Sequence, residues 1–122
     1  MSGYIDFLDS CFGIARDDMP RAASLLPDRY RDPSKPPLDQ VACALRDCGL
    51  TAYTSGGALD ALGCEFGELY GSVEEVLTAI APAVEDGSYF TYFYLDCDSR
   101  EPVGFFFHDG VCEFKAGRIV FD

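Results

Sequence analysis

Asp109–Gly110 is the feature that most constrains how this chain folds. The pair stands between PVGFFFH (102–108) and VCEFK (111–115). A two-residue Asp-Gly loop between β-type runs specifies a type I′ hairpin, because both of its positions require positive φ. Such a loop also fixes the pairing. His108 must face Val111, Phe107 must face Cys112, and Phe105 must face Phe114. Side chains alternate along a strand, so Phe105, Phe107, Cys112 and Phe114 share one apolar face, which is predicted core. Gly104, Phe106, His108, Val111, Glu113 and Lys115 form a mixed opposite face.

Just upstream lies YFTYFYLDCD (89–98), with five aromatics in six positions. It is predicted to be a strand over 88–96. A strand with one wet face should carry polar residues on that face, and this one is aromatic on both. Phe93 and Leu95 are assigned to the core face of the hairpin. Phe90, Tyr92 and Tyr94 then point the other way, toward the acidic residues that follow. RIVFD (118–122), after a second turn at Ala116–Gly117, is expected to return as a further strand. Residues 88–122 therefore read as a three- to four-stranded meander.

Two helices are clear. LDQVACALRDC (38–48) places Leu38, Val41, Ala42, Leu45 and Cys48 on one stripe, with Gly49 just past its end. Residues 73–81 carry the stripe Val73, Val76, Leu77, Ile80, with Ser72 and Glu75 as a capping box and Pro82 as the stop. A shorter helix is expected from Asp18 as N-cap to about Leu26, ended by Pro27. RDPSKPP (31–37) is a loop and LTAY (50–53) a strand. The period leaves GYIDFLD (3–9) open between a strand and a helical turn. SGGALDALG (55–63) is ambiguous, and CEFGELYG (64–71) reads as a strand or a loop. The expected architecture is α+β, a single domain over 1–122. It is a curled antiparallel sheet with helices 38–48 and 73–81 packed on one face.

Composition makes the chain globular, with 48% hydrophobic and 14% aromatic residues. The charge is strongly one-sided, at −12. Residues 1–50 hold 8 acids and 6 bases, and residues 51–122 hold 13 acids and 3 bases. That field disfavours nucleic acid and anionic membranes as direct partners and favours basic ones. No run approaches the ~18 apolar residues of a membrane span. MSGYIDFLDS lacks the basic start of a secretory signal, so a cytoplasmic location is expected, bacterial or, for a phage protein, that of the host. The cysteines at 11, 43, 48, 64, 97 and 112 are expected to be reduced and structural.

Chemistry is sparse. His108, the single histidine, sits at a turn with Cys112 directed to the opposite face, so no Cys–His nucleophile forms. Cys43 and Cys48 lack zinc-ligand spacing. Asp96 and Asp98 begin like a calcium loop, but Glu101 stands where glycine is needed and Phe107 where a bidentate glutamate is needed. The glycines at 56, 57, 63, 67 and 71 lack a following Lys-Ser/Thr, and Glu65 and Glu68 would repel a phosphate. No catalytic residue, metal site or cofactor is expected.

The chain is therefore expected to be a non-enzymatic acidic protein that binds and masks a basic macromolecule, either a basic protein or a nucleic-acid-binding complex. Toxin-immunity proteins match it in size and charge. So do phage anti-CRISPR and anti-restriction proteins that imitate nucleic acid. The expected contact residues are Phe90, Tyr92, Tyr94, Asp96, Asp98, Glu101 and Asp109, with Glu65 and Glu68. The alternatives are a small-molecule or peptide module with an aromatic pocket between sheet and helices, or a homodimer.

Overall fold

The computed structural model describes residues 2–95 and 102–116. The fold is α+β, as the sequence predicts. Its centre is a curled antiparallel sheet of five strands, a half-barrel. The strands are β1 (Ser2–Cys11), β4 (Glu68–Tyr70), β5 (Tyr89–Tyr94), β6 (Pro102–His108) and β7 (Val111–Ala116), in the order β4-β1-β5-β6-β7. A separate hairpin pairs β2 (Thr51–Ser55) with β3 (Ala58–Gly63). The helices are α1 (Met19–Leu25), α2 (Pro37–Asp47) and α3 (Val73–Ile80).

Local chemistry sets most boundaries. Asp109 and Gly110 adopt φ of 52° and 77°, and β6 pairs with β7 in the predicted register. Helix α2 ends in a Schellman motif: Leu50 N–H donates to the Leu45 carbonyl at 3.0 Å and Gly49 N–H to that of Arg46 at 2.9 Å. Gly49 has φ of 94°, and a Cβ there would lie 2.1 Å from the Glu68 carbonyl oxygen. This site thus needs glycine twice, for the turn and for the approach of β4. Pro82 ends α3 at Ile80 and the chain passes into a 3₁₀ turn over 81–83.

Three expectations are corrected or completed. Ser72 makes no side-chain cap bond. Glu75 instead accepts a bidentate pair from Arg29, both at 2.7 Å, because a guanidinium fork matches a carboxylate better than one backbone N–H does. The segment 3–9 lies wholly in β1. SGGALDALG contains the Gly56–Gly57 turn and β3, both glycines having positive φ. The expected strand 118–122 and turn 116–117 fall largely outside the described residues.

All three helices join one hydrophobic core with the sheet. Val76, Leu77 and Ile80 of α3, Val41 and Leu45 of α2, and Ala22 of α1 are fully buried there. The β2–β3 hairpin is tied to the same side of β1, since Ser10 Oγ donates to the Leu62 carbonyl at 2.6 Å. Helices and hairpin gather on one face of the sheet, here termed the core face. The other is the outer face.

Candidate functional site

The face assignment of the aromatic strand is inverted relative to expectation. Phe90 pairs with Phe105 and Tyr92 with Val103, and directly opposed residues share a face. Phe90, at 0% exposure, and Tyr92, at 1%, are therefore core residues that no partner can reach. Tyr92 stands between Phe90 and Phe105, with ring centroids 5.7 and 6.3 Å away. Burial pushes its phenol well above the ordinary tyrosine range, and its hydroxyl lies 3.4 Å from that of Tyr94. Tyr94 is half-buried on the same face. The expected aromatic pocket between sheet and helices is thus filled by the chain's own rings.

The outer face receives what the sequence assigned to the core. Register places its residues in rows across the sheet. Tyr70 stands opposite Ser2 and Glu68 opposite Tyr4. Asp6, Phe93 and Pro102 make the next row, Asp9, Thr91, Gly104 and Lys115 another, and Cys11, Tyr89, Phe106 and Glu113 the last. One extra residue, Leu8, makes a β-bulge between Phe7 and Asp9 and keeps Asp9 on this face. Tyr4 at 57% exposure, Tyr70 and Leu95 are open to solvent, while Tyr89, Phe93 and Phe106 are half-buried.

The rings on this face are ordered by one another. Tyr89 stacks on Phe106 with centroids 6.4 Å apart and planes 12° apart. Phe106 lies over Gly104, where a Cβ would come within 3.1 Å of its ring. Lys115 Nζ sits 5.5 Å from the same ring centroid, in cation–π range. The Tyr89 hydroxyl donates to Asp9 Oδ2 at 3.1 Å, and that bond to the carboxylate raises the phenol's pKa. At the hairpin end His108 Nε2 is 2.6 Å from Glu113 Oε1, which holds Glu113 below the usual carboxylate range. Four carboxylates, of Asp6, Asp9, Glu68 and Glu113, thus surround the rings. Lys115 is the single lysine or arginine on this face among the described residues, with His108 beside Glu113 at its hairpin end.

The remaining expected contacts divide. Asp109 is exposed at the hairpin tip, its N–H donating to Asp86 Oδ1 at 2.9 Å. Glu65 accepts from the Tyr53 hydroxyl at 3.4 Å. Glu65 and Glu68 line a cleft of about 300 Å³ with Arg46, Thr51, Phe66 and Tyr70, where Phe66 is 87% exposed. Asp96, Asp98 and Glu101 lie outside the described residues.

Sequence reasoning missed Tyr4, Asp6, Asp9, Tyr89, Phe93 and Phe106 as one surface. A signal was present in the alternation of Tyr4 and Asp6 against Ile5, and in the mixed face of the hairpin. Among the described residues no cluster of three or more His, Cys, Asp or Glu side chains is arranged to hold a metal ion. No described helix is long and apolar enough to cross a membrane. Cys48 and Cys64 are buried free thiols, and burial pushes the Cys112 thiol up to about 12. No family model matches the chain, and no curated protein or solved structure matches it.

Proposed function

We propose that this chain is a non-enzymatic acidic binding protein that covers a basic surface of another macromolecule in the cytoplasm. Its targets would be a basic toxin, or a protein complex whose nucleic-acid site it occupies by charge imitation. The carrying observation is the outer sheet face. Four carboxylates frame stacked and exposed rings there, against one lysine among the described residues. Aromatic residues supply desolvated anchors at interface centres, and like-signed charge around them steers an oppositely charged partner. The other described bases, Arg16, Arg21, Arg29, Arg31, Lys35 and Arg46, fall between β1 and β2 in sequence, in the segment that carries α1 and α2. The same segment holds six aspartates, Asp17, Asp18, Asp28, Asp32, Asp39 and Asp47, so it is near neutral while the outer face is negative, and that asymmetry orients the chain as it approaches a basic partner.

The test is a partner captured by the tagged chain, identified, purified and titrated. Affinity should fall about 10- to 100-fold between low and ~0.3 M salt, since interface charges outside contact distance are screened there. Asp6→Lys with Asp9→Lys, or Tyr89→Ala with Phe106→Ala, should abolish capture, while Asp39→Lys on α2 should not. Salt-insensitive binding, or binding that survives reversal of the outer face, would overturn the assignment.

A further inference from the structure

We infer that β7 is a self-complementary edge and that two copies of this chain pair through it, antiparallel about a two-fold axis at Phe114. Among the described residues β7 is the last strand of the sheet. The direction of its backbone groups follows from its neighbours. Phe107 N–H donates to the Ser88 carbonyl at 2.9 Å, and the Phe107 carbonyl accepts from Gly87 N–H at 2.9 Å. Phe107 therefore turns its backbone toward the β5 side, and its neighbours Phe106 and His108 turn theirs toward β7. Their partners Glu113 and Val111 bond back into the sheet. The alternate residues, Cys112, Phe114 and Ala116, direct N–H and C=O away from β6, toward a further strand.

A second β7 must match those outward groups. A centre between two residues would set an outward residue against an inward one, so the axis must pass through a residue. Centred on Glu113, the pairing sets Glu113 against its own copy. Centred on Lys115, it sets two lysines face to face. Centred on Cys112, it matches the outward groups but sets Glu113 against Val111 and runs Phe114 into the turn at Gly110. The centre at Phe114 alone matches the outward groups and also sets opposite charges within the strands: Cys112 bonds with Ala116 of the second copy, Phe114 with its own copy, and Glu113 faces Lys115 twice. Like charges directly opposite destabilise a pair and opposite charges favour it. Phe114, 39% exposed on the core face and 5.1 Å from Phe105 by ring centroids, gains its own copy as cover. Within one chain Glu113 already approaches Lys115 at 3.6 Å and His108 at 2.6 Å. Pairing adds the second lysine to that cluster. A foreign strand lacking this alternation meets an unmatched charge, so the edge selects itself. Such a contact is isologous and closed.

This inference does not rest on the proposed function, although Glu113 and Lys115 belong to both the outer face and the β7 edge; association of the chain with itself is therefore measured without any partner present. Sedimentation equilibrium of the purified chain should show a monomer–dimer equilibrium. Lys115→Glu should weaken association about tenfold. The double exchange Glu113→Lys with Lys115→Glu returns opposite charges across the axis and should restore association. Arg46→Glu, with the same change in net charge, should leave it unaltered, and so should Asp6→Lys, which damages the proposed binding face. Three results would each overturn the inference: a chain still monomeric at about 0.5 mM, where even weak specific contacts form; a dimer indifferent to Lys115→Glu; or a loss that the double exchange does not reverse.

Discussion

Phe90 and Phe106 are both aromatics of central strands, and the fold gives them opposite duties. Phe90 is wholly enclosed, with Phe7 stacked at 5.3 Å. Truncation there leaves a cavity that the packed core cannot close. Phe90→Ala should lower unfolding free energy by about 3–5 kcal/mol in urea titration. Phe106→Ala, on the outer face, should lower it by less than about 1.5 kcal/mol, so any loss of binding by that variant is not a folding defect. The thiols separate similarly. Cys11 is exposed, whereas Cys112 is half-buried and held protonated by desolvation, with Glu74 adding to the shift. Iodoacetamide at pH 8 should therefore modify Cys11 well before Cys112, because the thiolate is the nucleophile. Comparable rates at the two sites, read by peptide mass spectrometry, would contradict the packing described for β7.

At the scale of elements, legibility followed the range of the signal. The β6–β7 hairpin was readable because Asp109–Gly110 fixes its register within four residues. Helix α2 was readable because its stripe and Gly49 are contiguous. The faces of β5 were not, because they depend on its register with β6, and the sequence between the two strands carries no two-residue turn signal like Asp109–Gly110. Strand β3 hid behind Gly56–Gly57, whose positive φ values mark the same kind of two-residue turn between Ser55 and Ala58. The capping box failed because Arg29 supplied a better partner for Glu75. That bidentate bond holds the Glu75 carboxyl below its ordinary range. A depressed folded pKa contributes stability above the unfolded value, about 4.3, and loses it as pH falls through the folded one. The Tm difference between the native chain and Glu75→Gln should therefore be constant above about pH 5 and shrink toward zero on acidification. A difference that grows at low pH would reverse the assignment. Gly49→Ala should destabilise by about 2 kcal/mol or more, from left-handed strain and the contact with Glu68.

For the molecule as a whole, one charge distribution has two consequences of opposite sign. With −12 on 122 residues, the folded chain repels itself. The outer face concentrates part of that repulsion, since Asp6, Asp9, Glu68 and Glu113 share a sheet whose described strands carry Lys115 as their one lysine or arginine. Compaction brings like charges closer than they stand in the unfolded chain, so self-repulsion lowers stability. Salt screens charges separated by more than about 8 Å at physiological strength. Raising sodium chloride from about 20 mM to ~0.3 M should thus raise the Tm of the free chain by a few degrees. The same screening removes the attraction that draws in a basic partner, so affinity should fall over the same range. Reversing Asp6 and Asp9 to lysine should flatten both dependences together. A sheet face exposed only for want of a covering layer predicts otherwise, because apolar contact would be indifferent to or strengthened by salt. The pair of measurements therefore separates a face shaped for a basic partner from one that is merely uncovered.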